Sequence, residues 1–306
     1  IIIKDWFNPQ NPQQLAEIRI GEQVITADEI TKKVLTQVGT PQSDTLTGIS
    51  GFSNTLIGLE GDDVLTGTNT PGSDKKGDTY NGGKGNDQIS GTNLNDTYIY
   101  EIGDGKDTII ENSGMGDSIL LGYSAAQTVF YRVGNNLTAA MDSRYNSITV
   151  SGWFESDAKK IESWTFGVKS DNTSDGSLQK DTIESLAGLG VVGADNNDML
   201  EAISNTQKTN VFVGGAGNDI ITTSIGSNTI LFSKQDGNDV VNLRGETFIT
   251  TGAGLGQNFN VFAKNDGAIE VVWSTGESLL LRNIDGLNVS FKTTLMVEDG
   301  FIYTGT

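Results

Sequence analysis

Apolar residues recur along much of this chain in very short bursts, each set behind a glycine-rich stretch and an acid or amide. Ile89 follows Asp87 in "NGGKGNDQI", and Tyr80 and Tyr98 stand nine places to either side, behind Asp78 and Asp96. Aligned on the polar residue two places ahead of the apolar one, Asp78, Asp87 and Asp96 step by nine. Asn54 and Asp63 do the same, with Asp44 ten before Asn54, and later Asn210, Asp219 and Asn228 again step by nine. Each burst predicts a strand of about three residues after a tight turn, and two nonads complete one coil, so that strands stack every 18 residues or so. Leu56, Leu65, Tyr80, Ile89, Tyr98, Phe212, Ile221 and Ile230 then point into a narrow core.

A longer repeat contains the shorter one. Asp78, Asp87, Asp96 and Asp107 map onto Asn210, Asp219, Asn228 and Asp239 at a constant offset of 132, and even the irregular eleven-residue step is reproduced. Val129-Phe130 against Val261-Phe262, and Ile148 against Leu280, keep the same offset. Behind each glycine-rich block the pattern changes to alternating β-type segments, "TVFYRV" and "NSITVSGWF" in one copy, "NVFAK" and "AIEVVW" in the other. Thr26 with Glu29 and Asp181 with Glu184 have the spacing of a capping box, which predicts a short helix after each tail. The opening "IIIKDWF" parallels "ITVSGWF", with Trp6-Phe7 against Trp153-Phe154, and reads as part of something longer. The expected organisation is a module tail over 1–38, a full module over 39–186 and a second over 187–306. The fold expected is all-β: parallel β-roll blocks alternating with antiparallel, sandwich-like tails and short helices.

Composition narrows the chemistry. With 20 basic and 39 acidic residues the net charge is −19, which argues against nucleic acid and against docking on anionic lipid. No cysteine or histidine is present, so thiolate and imidazole metal sites, thiol nucleophiles and serine–histidine triads are all excluded. No run approaches the roughly 20 apolar residues of a membrane span. The acids that remain sit at the turns. Stacking such turns brings carboxylates and glycine-exposed carbonyls together, a repulsive arrangement unless a cation joins it. Those are hard oxygen ligands, the set that suits Ca²⁺.

The full motif G-G-x-G-x-D-x-(apolar)-x occurs twice, at Gly82–Ile89 and Gly214–Ile221, and resembles the nonapeptide of the RTX (repeats-in-toxin, haemolysin-type calcium-binding) family. Strong matches cover about 58–99 and 210–232, with degenerate flanks reaching about 42–121 and 193–242. The resemblance implies a parallel β-roll with Ca²⁺ between neighbouring coils, type I secretion, and folding triggered by external calcium. It further implies ligand pairings of Asp78 with Asp96, Asp87 with Asp107, Asp198 with Asp219 and Asp219 with Asp239. Asp63 belongs to the same set, and the carbonyls of Gly82, Lys84, Gly214 and Ala216 are expected to contribute. Asn at 54, 210 and 228 departs from the pattern and should weaken the sites there. The loop "GTNTPGSDKK" between Asp63 and Asp78 breaks the nine-residue register and argues against stacking at that point.

Other motifs carry less. "DNTSDG" at 171–176 has Thr182 where an EF-hand loop needs Glu and reads as a solvated turn. "GAGLGQ" at 252–257 lacks the GK[ST] of a nucleotide loop and reads as a flexible turn. The tryptophans at 6, 153, 164 and 273 recur within the β tails and are expected in the core rather than on a sugar-stacking platform. Every recognisable acid cluster is accounted for by the metal comb, and no catalysis is expected. The function expected is a calcium-binding structural and export module of a large secreted or cell-surface bacterial toxin or adhesin. Its partners would be calcium ions, the type I secretion apparatus and, through the parent protein, a host-surface or glycan ligand. Two alternatives stay open: a glycan- or peptide-binding adhesin segment on a calcium scaffold, and the calcium-binding tail of a secreted enzyme.

Overall fold

The computed structural model describes residues 17–20, 22–68, 76–142, 145–169, 173–203, 207–251, 255, 258–283, 293–296 and 302–305. Trp6-Phe7, most of "GTNTPGSDKK", the start of "DNTSDG" and nearly all of "GAGLGQ" lie outside the described residues. The chain opens on an antiparallel pair, β1 (Glu17–Ile20) and β2 (Gln23–Thr26), then α1 (Ala27–Leu35) and β3 (Thr36–Val38). The capping box expected at Thr26 and Glu29 closes both ways in α1, Glu29 N–H donating to Thr26 Oγ1 at 3.3 Å and Thr26 N–H to Glu29 Oε2 at 2.7 Å.

A coil follows whose strands alternate between two walls. One wall stacks β3 with β5 (Thr55–Glu60), β7 (Thr79–Lys84), β9 (Thr97–Tyr100) and β11 (Ser118–Leu121); the other stacks β4 (Thr45–Thr47), β6 (Val64–Thr66), β8 (Gln88–Ser90) and β10 (Lys106–Ile110). All these pairings are parallel. The expected period of 18 holds between Thr79 and Thr97, but Thr55 stacks on Thr79 at 24 and Val64 on Gln88 likewise. Stacking therefore continues across the "GTNTPGSDKK" interruption, contrary to expectation. The ladders of both walls run on past that stretch, β5 to β7 and β6 to β8.

The antiparallel tails are built into the walls rather than set beside them. After β11, β12 (Val129–Val133) and β13 (Asn136–Ala140) form a hairpin, and β14 (Ser147–Val150) runs antiparallel to β13 while lying parallel on β10. β15 (Ser163–Phe166) then returns to the first wall on β11 and pairs with β16 (Gly176–Gln179). A helix, α2 (Lys180–Leu186), leads into β17 (Gly188–Val192), which lies parallel to β12. Here the expected capping box is absent. α2 begins at Lys180 behind Gln179, Asp181 falls inside its first turn, and Glu184 instead accepts from Lys160 Nζ at 2.7 Å.

The second coil repeats the first. β17, β19 (Asn210–Val213), β21 (Asn228–Phe232) and β23 (Thr247–Thr251) make one wall, and β18 (Met199–Glu201), β20 (Ile220–Thr222) and β22 (Asn238–Leu243) the other. The hairpin β24 (Phe259–Ala263) and β25 (Ile269–Trp273) leads to β26 (Ser278–Asn283), parallel on β22. β27 (Thr293–Met296) returns to β23 and pairs with β28 (Ile302–Gly305). The offset slips by one in the hairpins, because Asp107 faces Ile148 whereas Asp239 faces Leu279, not Leu280. The connection from the β9 level to the β11 level is 21 residues and its counterpart only 19, so the register drifts after β22.

Each coil encloses its own narrow core. Leu56, Leu65, Tyr80, Ile89 and Tyr98 belong to one, Phe212, Ile221 and Ile230 to the other, and all are at most 2% exposed, as the nonad pattern predicts. Successive levels stack like on like. The Tyr80 and Tyr98 rings, one coil apart, lie 5.3 Å apart and nearly parallel. Trp153, Trp164 and Trp273 are buried in these cores, which removes them as a sugar-stacking surface.

Gly85 shows how tightly the levels approach. Its φ is +145°, and a Cβ there would overlap the Gly61 carbonyl of the level below. Gly51 shares the positive φ but has nothing within 4 Å. Gly85→Ala should therefore lower the thermal midpoint more than Gly51→Ala, the first costing more than about 1 kcal/mol. Equal effects would show that backbone conformation alone matters.

Candidate metal centre

The turn before each short strand places an aspartate so that one carboxylate oxygen meets the backbone of the neighbouring level. On one side Asp44 N–H donates to Asp63 Oδ1 at 2.7 Å, Asp63 N–H to Asp87 Oδ1 at 2.7 Å, and Asp87 N–H to Asp107 Oδ1 at 3.0 Å. On the opposite side Asn54 N–H donates to Asp78 Oδ1 at 2.7 Å, Asp78 N–H to Asp96 Oδ1 at 2.6 Å, and Asp96 N–H to Asp117 Oδ1 at 2.7 Å. The second coil has one such ladder, Asp198 to Asp219 and Asp219 to Asp239, both at 2.9 Å. All four aspartate pairings named from the sequence are thus neighbouring rungs, and Asp63 takes its place in the first ladder.

The other carboxylate oxygen divides the set: Asp96 Oδ2 accepts from Thr92 N–H at 2.6 Å and Asp198 Oδ2 from Ala194 N–H at 2.7 Å, whereas four others have no partner. Oδ2 of Asp63, Asp87, Asp117 and Asp219 is fully buried and accepts no hydrogen bond. The desolvation of an unpartnered charged oxygen is costly. No lysine or arginine stands within ion-pair distance of a ladder aspartate among the described residues; the ion pairs join other acids, as between Lys84 and Glu60 at 3.5 Å on the surface.

Burial consequently holds protons on these acids. It pushes Asp96 up to about 6, Asp87 and Asp117 up to about 7, and Asp107 and Asp239 up to about 8, the backbone donors only partly opposing it. Asp63, Asp78 and Asp219 are raised by the same cause. The neighbouring carboxylate adds to the rise in most of them.

Of the carbonyls named from the sequence, Lys84 O already accepts from Gly61 N–H at 2.8 Å. The Gly82 carbonyl lies against Gly58 and the Gly214 carbonyl against Gly193, each in the adjacent level. Gly82 and Gly214 also lie so close to Oδ2 of Asp87 and Asp219 that a Cβ would overlap it. Ala216 lies in the same turn as Gly214, and its N–H donates to Asp195 at 3.4 Å.

One cluster escaped the sequence reading. Asp96, Glu111 and Asp117, all buried, offer oxygens within 4.8 Å of one another. Burial pushes Glu111 up to about 8, and the Tyr98 hydroxyl donates to its Oε2 at 2.5 Å. Asp117 carried a signal, because "GDSIL" repeats the Asp-x-apolar arrangement, but at 21 residues from Asp96 rather than 18. Glu111 carried none.

The asparagines behave differently. Asn228 Nδ2 donates to the carbonyls of Ser224 at 3.0 Å, Gly226 at 2.8 Å and Glu246 at 3.1 Å, while its Oδ1 accepts from Ser224 N–H at 3.1 Å. An amide here puts a donor among the turn carbonyls where the aspartate turns have an orphaned oxygen. The wall carrying Asn210 and Asn228 is therefore neutral and internally bonded. Among the described residues of the second coil, the aspartate rungs are Asp198, Asp219 and Asp239.

These features define a parallel β-solenoid whose turns are lined by buried carboxylates. No family model matches the chain, and no curated protein does. Among solved structures, the extracellular lipase LipA from Serratia marcescens aligns over 83% of this chain at 17% identity, with a TM-score of 0.28. The chain spans 39% of that lipase's length. So slight a likeness carries nothing about chemistry, and it lends no support to the expectation of a non-catalytic chain. No helix among the described residues is long and apolar enough to cross a membrane.

Proposed function

We propose that this chain is a calcium-binding folding module of a larger secreted protein, only marginally stable until external calcium occupies its turns. The observation that carries the reading is the set of buried, unpartnered Oδ2 atoms on Asp63, Asp87, Asp117 and Asp219. The donor set fits: hard carboxylate oxygens from adjacent levels, with turn carbonyls close by and, among the described residues, no lysine or arginine paired with a ladder aspartate. Asp63, Asp87 and Asp107 would hold ions along one side of the first coil, with the Gly82 and Lys84 carbonyls. Asp78, Asp96, Asp117 and Glu111 would hold them along the other. Asp198, Asp219 and Asp239 would serve the second coil, with Gly214 and Ala216. The cation supplies the positive charge that lets these acids stay ionised inside a folded chain.

Linkage then makes calcium a folding signal. An ion bound by the folded state alone shifts the equilibrium by mass action. In a calcium-poor cytosol the acidic, glycine-rich chain would stay open and exportable; outside the cell it would close. That behaviour fits a module of a type I-secreted toxin or adhesin. The test is a calcium titration near neutral pH, followed by circular dichroism from a chelated start. A cooperative gain of β structure is expected. The same spectrum and the same melting transition in excess chelator would overturn the reading.

A further inference from the structure

The outer edge of β24 has a twin inside the same chain, and the twin is covered. Strand pairing fixes the correspondence: Asp107 faces Ile148, which leads across the hairpin through Ala139 to Phe130. Asp239 faces Leu279, which leads through Val271 to Val261. One residue further on, Tyr131 corresponds to Phe262, and on the same face Ala140 corresponds to Val272.

In the first coil that edge carries a parallel strand. Tyr131 and Arg132 of β12 face Gly188 and Leu189 of β17. Tyr131 is 6% exposed and Ala140 1%, packed with Val211, Val213 and Leu231 in a cluster of their own. The fit depends on a small residue: a Cβ on Gly190 would stand 2.6 Å from Tyr131 Cδ2. In the second coil β24 is the end strand of its sheet and pairs only with β25 among the described residues. Phe262, the counterpart of Tyr131, is 48% exposed. The strand itself reads FNVFA, without the lysines or prolines that usually blunt a free edge; the nearest charges are Lys264, just past its end, and Glu270, across from Phe262, and these two pair with each other.

We infer that the β24 edge is a docking site for a helix–strand segment of the α2–β17 kind, its strand uncharged and glycine-bearing like β17, added in parallel as the opening of a further unit of this repeat. Backbone pairing would supply the attachment, and Phe262 with Val272 the apolar seat that Tyr131 and Ala140 provide in the first coil. The end of the second coil is shaped to receive it. Tyr303 pairs with Leu295 as Leu178 pairs with Trp164, so β28 ends where β16 hands over to α2. The inference stands apart from the calcium reading, since it rests on strand edges and not on the acidic turns.

The test replaces Gly305-Thr306 with a second copy of residues 180–193, so that the copied Lys180 follows Thr304 as Lys180 follows Gln179, and follows amide hydrogen exchange in calcium-containing buffer. In the parent chain Phe259–Ala263 should exchange faster than Val129–Val133. In the extended chain their protection should rise at least tenfold, and Phe262→Lys, or Gly190→Val within the appended copy, should abolish the gain. Unchanged exchange in the extended chain would overturn the inference. So would protection of β24 in the parent chain that fades on dilution, which would make a second molecule the occupant.

Discussion

With divalent cations chelated, the chain should lose stability as the pH rises from about 5 to about 8, and with millimolar calcium it should gain stability over the same interval. The first half follows from the buried acids. Asp96, Asp87, Asp117, Asp107, Asp239 and Glu111 release their protons in the fold only at about 6 to 8. In the unfolded chain they do so near 4. Between those values the fold holds protons that the unfolded chain has given up, so rising pH favours unfolding. The stabilisation is fully present below the unfolded values and lost once the pH passes the folded ones. Calcium reverses the sign because it needs the ionised oxygens, and protons compete with it. Thermal melts across the interval, with chelator and with calcium, check both slopes. A chelated chain that becomes more stable toward about pH 8 would show that the ladders are not the dominant buried charge.

A single substitution should split the two conditions. Asp87→Asn keeps an acceptor for Asp63 N–H and adds a donor of the kind Asn228 already uses against its own turn carbonyls. At neutral pH in chelator the variant should be more stable by about 1–3 kcal/mol, the usual scale for an unsatisfied buried polar group. In saturating calcium it should be less stable, by up to about 4 kcal/mol where an ion held a thousandfold above its dissociation constant is lost. Asn228→Asp should do the reverse, losing three donated hydrogen bonds in chelator and recovering part of the loss with calcium. Urea midpoints in the two buffers measure the effect. A shift of the same sign in both would mean that Asp87 answers to packing and not to a cation.

The parts of this architecture that the sequence exposes are those built from local, repeated chemistry. Asp78, Asp87, Asp96, Asp107, Asp219 and Asp239 announce themselves through a short step, and the inward apolar residues follow from it. Glu111 and Glu162 do not, because each reaches its ladder from an irregular connection. The β12–β17 seam is equally silent in the sequence. It depends on a hairpin edge meeting a strand more than fifty residues later, and only the Gly190 gap marks the meeting. The drift of the long offset has the same origin: loops outside the walls change length without cost to the ladders, so alignment by count fails where alignment by pairing holds.

The rungs all point one way. Each backbone N–H is held by the carboxylate of the level that comes later in the chain, and Asp117 N–H, at the last level, is held at 3.0 Å by Glu162 from 45 residues further on. The coil therefore behaves like a zipper with a direction and a stop: no level is finished until its successor arrives. Glutamate, one methylene longer than the aspartates it follows, is the piece that ends the run.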